Sequence, residues 1–131
     1  NVIEALKYIE NESNYDINLI FNHLSRIGKG VSIIGLDRFY ATYKKIYIYG
    51  AGLYGRNLAK YFAYKGWVFE KFLVTRLEKA SEECISFDNA NITKNDGIII
   101  AVGDENEFMD ILKLVQKRCS KNQIFNSSIM W

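Results

Sequence analysis

Three glycines carry the clearest chemistry in this 131-residue chain. Gly50, Gly52 and Gly55 stand in G-x-G-x-x-G spacing inside KIYIYGAGLYGRNLAK, Lys45 to Lys60. Between a strand and a helix, such a turn presents backbone to an anion. Gly50 permits the tight turn, Gly52 lets a phosphate approach the backbone, and Gly55 lets the helix lie close to the strand. The N–H groups that open a helix have no carbonyl partner within it, so they suit the diphosphate of a nucleotide. Ala51, Leu53, Tyr54 and Arg56 complete the turn as candidate ligand contacts. The context supports the motif, because Ile46 to Tyr49 read as a strand and Leu58, Ala59 and Phe62 share a helical face with Gly55. The plainer alternative is a glycine-rich corner that binds nothing.

A second glycine-bearing strand end lies downstream, in GIIIAVG from Gly97 to Gly103, followed by Asp104. The unbroken Ile98 to Val102 run predicts a strand covered on both faces, as in the middle of a parallel sheet. Gly103 and Asp104 are therefore candidates for a second wall of the site, or else form a plain strand-to-helix turn. An NAD site places Asp or Glu about twenty residues after the glycine turn, where it takes the ribose hydroxyls. Here that strand ends Leu73, Val74, Thr75, Arg76. Thr75 and Arg76 are the candidate contacts there. Arg76 would suit the 2′-phosphate of NADP or a phosphate of another nucleotide, and its alternative is a solvated loop arginine. A P-loop is excluded, since Arg56 and Asn57 stand where Lys and Ser or Thr would follow the glycines.

No catalytic constellation accompanies the turn. His23 is the single histidine, and Cys84 and Cys119 stand apart, which leaves neither a zinc site nor a disulfide framework. Both thiols read as buried small hydrophobes of a reducing compartment. Tyr47, Tyr49 and Tyr54 could act as acids, but strand and helix-start positions favour packing or base stacking. The expectation is a binding domain with no catalytic residues, no metal and a small-molecule nucleotide ligand.

Composition agrees with one soluble domain, at 49% hydrophobic and 24% charged residues. A formal charge of +2 without a lysine tract names no nucleic-acid partner. No signal peptide or membrane-length apolar run is visible, so the expectation is a cytoplasmic protein with no membrane insertion. The chain opens on Asn1 and closes on Ile129, Met130 and Trp131, an apolar ending that suggests part of a longer protein.

The elements that must position the glycines follow from periodicity. Val2, Ala5, Leu6 and Ile9 predict one short helix. Ile17, Ile20, Phe21 and Leu24 predict a second, capped by Asp16 and ended by Gly28 and Gly30. Residues 1–44 form a helical arm on this reading, and residues 45–131 the nucleotide-binding domain. In Val31 to Tyr43, VSII resembles a brief strand and Asp37 a cap for a short helix carrying Phe39 and Tyr40. A helix is predicted from Leu53 to about Lys65, ended by Gly66, then a strand from Val68 to Val74. The polar stretch Thr75 to Asn95 leaves room only for a shortened strand at Cys84 and Ile85. Asp104, with Glu107 three residues on, caps a helix whose buried stripe is Phe108, Ile111, Leu112 and Val115, continued by Cys119. Ile124 and Phe125 make a last strand. The resulting order predicts an α/β, Rossmann-like, doubly wound and mainly parallel sheet of order 3-2-1-4-5, with an N-terminal helical arm.

These residues resemble a known family. IYIYGAGLYGRNLAKYF, a strand ending FLVT, the ISFDN segment and GIIIAVGDENEFMDIL look like the Rossmann-like N-terminal domain of bacterial sugar O- and N-acyltransferases. A similar domain is joined to glycosyltransferases and methyltransferases of surface-polysaccharide clusters. The resemblance covers roughly Lys44 to Asn126. It implies a nucleotide-linked sugar, usually a UDP-amino sugar, held across the glycine turn, while a separate hexapeptide-repeat domain does the chemistry. Gly50, Gly52, Leu53, Tyr54 and Gly55 would then face the ligand, with Gly103 and Asp104 opposite. Tyr54 stands where the acyltransferases commonly have His, and Val74 to Arg76 replace their frequent acidic pair. The repeats are absent, and the arm lies outside the match. Two other classes remain open: an NAD(P)-binding oxidoreductase half, and an assembly module that uses Val2 to Ile27 to form a homodimer or dock a missing catalytic domain.

Overall fold

The computed structural model describes residues 30–127, with side chains from residue 35. The predicted helices of Val2 to Ile27, His23 and the apolar ending lie outside the described residues. Helix α1 spans Gly30–Thr42 and leads into β1, Lys45–Tyr49. Helix α2 is Leu53–Lys65, followed by β2, Phe72–Val74, and β3, Cys84–Ser86. Strand β4 is Asp96–Ile100, helix α3 is Glu105–Gln116 and β5 is Ile124–Asn126. One-turn 3₁₀ helices at Phe87–Asn89 and Lys121–Gln123 fill the short connections.

The five strands form one all-parallel sheet of order β3-β2-β1-β4-β5, the doubly wound order predicted from the sequence. Helices flank it, and alternation along each strand divides the core in two. Ile46, Ile48, Phe72 and Ile99 pack on one face beneath Leu36 and Phe39 of α1 and Leu58, Tyr61 and Phe62 of α2. Tyr47, Tyr49, Leu73, Ile98 and Ile100 pack on the other against Ile111 and Val115 of α3, with Phe87 and Ala90. This two-sided burial explains why β1 and β4 read as continuous apolar runs. The strand pairing Ile48 with both Phe72 and Ile99 is the sheet's centre.

Several boundaries differ from the sequence reading. VSII is not a strand: residues 31–34 lie within α1, and Asp37 sits in that helix rather than capping it. The β-branched residues favour strand only weakly, and tertiary burial of Leu36 and Phe39 decides the outcome. The Phe39 ring fills the space left by Gly97, where a Cβ would lie 2.7 Å from it. Thus α1, placed with the arm by sequence, shares the core of the sheet. Strand β2 keeps only the last three residues of the predicted Val68 to Val74. Upstream, Trp67 stacks on Tyr40 with ring centroids 4.3 Å apart, and Val68 is left 76% exposed. Strand β4 ends at Ile100, before the Ala101 to Gly103 segment. Cys119 is buried as expected, whereas Cys84, on the edge strand, is only half-buried.

Candidate functional site

Parallel order aligns the C-terminal ends of β1, β2, β4 and β5 along one edge, and hydrogen bonds fix them there. Gly50 N–H donates to Leu73 O at 2.9 Å, and Ala101 N–H donates to Tyr49 O at 2.9 Å. The buried Ser127 hydroxyl donates to Ile100 O at 2.7 Å, which pins the end of β5 to the end of β4. Winding reverses between β1 and β4, the place where doubly wound sheets open a crevice.

The glycine turn forms one wall of that crevice, and its three glycines answer to different constraints. Gly50 has φ +117°, and a Cβ there would lie 2.6 Å from Ala101 O. Gly55 is buried, and a Cβ would lie 1.8 Å from Gly50 O, so only glycine lets α2 rest on the turn. Gly52 is constrained by neither: its φ is −85°, and a Cβ would meet nothing within 4 Å. It is the N-cap of α2, with no side-chain cap hydrogen bond and no acidic residue in the first turn. The first helical bond runs from Arg56 N–H to Gly52 O at 2.9 Å, so the amides before Arg56 have no helical carbonyl to serve them.

Gly50, Ala51, Gly52, Leu53 and Tyr54 line a cleft of about 360 Å³ opposite Ala101, Val102, Gly103, Asp104 and Glu107. Tyr54 crosses it. Its ring lies on the Gly103 backbone, where a Cβ would come within 2.1 Å of the ring edge. Asp104 caps α3, its Oδ2 accepting from Glu107 N–H at 3.0 Å, as the predicted spacing requires. The described lining includes two carboxylates and no lysine or arginine, so the helix-opening backbone amides are all it would offer an anion.

The remaining predicted contacts lie elsewhere. Gly55 is beneath the turn, packed on the strand rather than facing the cleft. Arg56 points away: its Nε donates to Ala51 O at 3.1 Å, its guanidinium pairs with Glu83 at 2.9 Å and stacks over Phe72. It braces the back of the turn. Thr75 lines a neighbouring groove along α3 with Glu107, Asp110, Leu114 and Lys117. Its hydroxyl is hydrogen-bonded to that of Tyr49 at 2.6 Å. Burial pushes the Tyr49 hydroxyl above its ordinary pKa, and the Thr75 bond partly offsets this. Tyr47 is raised for the same first reason, aided by Asp96 and Glu70, so neither strand tyrosine is tuned as an acid near neutrality. Arg76 is exposed and lines neither cleft.

Ala101, Val102 and Glu107 belong to the crevice although the sequence reading assigns them no ligand role. The signal was present in the parallel topology, which carries the residues just after β4 to the same edge as the glycine turn. Among the described residues no cluster of His, Cys, Asp and Glu would hold a metal ion, and no helix is long and apolar enough to cross a membrane. Comparison with known proteins found no matching family model, no matching curated protein and no matching solved structure.

Proposed function

We propose that this domain binds a nucleoside diphosphate sugar, with the diphosphate over the Gly52 turn, as the substrate-holding part of a bacterial polysaccharide-biosynthesis transferase. The observation that carries the reading is Gly52. The other two glycines of the motif are required by backbone contacts within the protein, but the space above Gly52 is open and adjoins helix-opening amides. That open face admits something that approaches from outside, and the amides suit an anion. The transferase context rests on the resemblance of residues 44–126 to the sugar-binding domains described above. The end of β2 lacks the carboxylate that NAD would use, and Arg76 lines neither cleft as an NADP contact would.

A thermal-shift screen of UDP-sugars, dTDP-sugars, NAD, NADP and S-adenosylmethionine tests this, with Gly52→Asp as the control. A ligand at a hundredfold over its Kd stabilises the folded state by about 2.7 kcal/mol. That corresponds to a Tm rise on the order of 10 °C for a domain of this size. The expected result is a rise confined to nucleotide sugars and lost in Gly52→Asp, whose carboxylate occupies the anion position. A rise that survives the substitution, or one produced by NAD or NADP alone, refutes the reading. No rise with any nucleotide would leave the glycine turn as a packing corner of an assembly module.

A further inference from the structure

The crevice continues past the glycine turn in two directions, and the two extensions differ in chemistry. Toward β5, Val102, Gly103 and Asp104 are shared with a second cleft of about 320 Å³, completed by Glu105, Phe108, Met109 and Asn126. Toward β2, the α3 groove shares only Glu107 with the central cleft and carries Lys113 and Lys117 beside Asp110. Among the described residues, the lining of the β5 side has no cation. Asp104 and Glu105 supply carboxylate acceptors, Asn126 an amide, and half-buried Phe108 with Met109 an apolar surface. Carboxylates accept hydrogen bonds from hydroxyls, and an apolar surface suits the C–H face of a pyranose ring.

We infer that the cleft at the end of β5 is the sugar subsite, so that a nucleoside diphosphate sugar crosses the sheet edge with its hexose between Asp104, Glu105, Phe108, Met109 and Asn126. This rests on the proposed diphosphate position over Gly52. The ligand therefore runs from the glycine turn past the Tyr54 ring, which covers Gly103, toward β5, and the nucleoside lies on the side of Thr75 and the α3 groove. The Asp104 carboxylate, fixed by its bond to Glu107 N–H, stands at the junction of the two clefts. Its acceptor is thus held in place before any sugar arrives, which favours selectivity.

Isothermal titration with UDP, UDP-glucose, UDP-galactose and UDP-N-acetylglucosamine tests the orientation. Native protein, Met109→Trp and Glu105→Gln are compared. Met109 is 43% exposed, so the larger ring can fill the cleft without entering the core. At least one UDP-sugar is expected to bind about tenfold tighter than UDP, the effect of two or so net hydrogen bonds. Met109→Trp should remove that advantage while leaving UDP affinity within about twofold, and Glu105→Gln should reduce it in the same direction. UDP binding that persists with no gain from any sugar, or a gain untouched by Met109→Trp, overturns the sugar subsite alone. If UDP does not bind at all, the diphosphate position fails and this inference fails with it.

Discussion

The same substitution at two glycines three residues apart should have opposite outcomes. In Gly55→Ala the new Cβ would sit 1.8 Å from Gly50 O and 2.8 Å from Gly50 C, both backbone atoms that cannot rotate away. Relief requires α2 to lift from β1, against the packing of Leu58 and Phe62, which are each 1% exposed. Overpacking costs typically about 1–3 kcal/mol, and a backbone clash this deep belongs at or above the top of that range. Alanine recovers about 1 kcal/mol of helix propensity, so the net loss is about 2–3 kcal/mol. In Gly52→Ala the Cβ enters open space at an ordinary φ. The chain gains about 0.4–1 kcal/mol from a less flexible unfolded state and loses a comparable amount because alanine is a poorer N-cap than glycine. Stability should stay within about 0.5 kcal/mol of native, while on the proposed diphosphate position UDP-sugar affinity should fall, because the methyl would stand in the phosphate's path. Urea unfolding followed by circular dichroism reads the first effect and titration the second. Equal destabilisation by the two substitutions, or a Gly52→Ala protein that binds as well as native, would refute the division of labour among the glycines.

Two further outcomes concern the tyrosines. Burial, then Asp37 and Tyr64, raises the Tyr61 pKa well above its ordinary 10.0, and Tyr47 and Tyr49 are raised with burial as the largest cause. The folded state thus holds these protons more tightly than the unfolded chain. Their contribution is fully present below pH 10 and is lost as pH climbs toward the raised values, so Tm should fall steeply above pH 10. Tyr61→Phe, which has no proton to lose there, should soften that fall, and an unchanged alkaline limb would count against it. Second, Tyr49→Phe and Thr75→Val each remove one partner of a part-buried 2.6 Å hydrogen bond. A double-mutant cycle should return a coupling of about 1 kcal/mol. A coupling near zero would mean that the bond does not tie β1 to the end of β2.

Much of this molecule was legible from residue patterns because its central elements satisfy several rules at once. Leu53 to Lys65 has the amphipathic spacing, the glycine opening and Gly66 closing in the left-handed region at φ 73°. Glu105–Gln116 has a cap, an apolar stripe and the predicted N–H···O bond from Glu107 to Asp104. Ile98 to Ile100 could only be a central strand. Where a local rule stood alone, tertiary contacts overrode it. VSII reads as strand until Leu36 and Phe39 are seen to need a helix to reach the sheet, and Val68 to Phe69 read as strand until Trp67 is drawn onto Tyr40. The site divides in the same way. Gly50 to Tyr54 and Gly103 with Asp104 come together because topology dictates it. Arg56 is invisible to that logic, since its direction depends on Glu83 and Phe72, which only the folded chain brings beside it. Phe108, Met109 and Asn126 carried no ligand role in the sequence, and only their place at the sheet edge makes them neighbours of the crevice.

The all-parallel pairing has a kinetic consequence. No two neighbouring strands are joined by a hairpin, so every ladder must close a long loop before it forms. The longest closure among the central pairs joins Ile48 to Ile99, with α2, β2 and β3 strung between them. That same β1–β4 ladder holds the two walls of the crevice together. The crevice is therefore built from contacts distant in sequence, of the kind that slow folding. On the proposed site, a molecule lodged between Gly52 and Asp104 would act as a clasp on the finished chain, slowing the escape from the native state and leaving the speed of arrival unchanged.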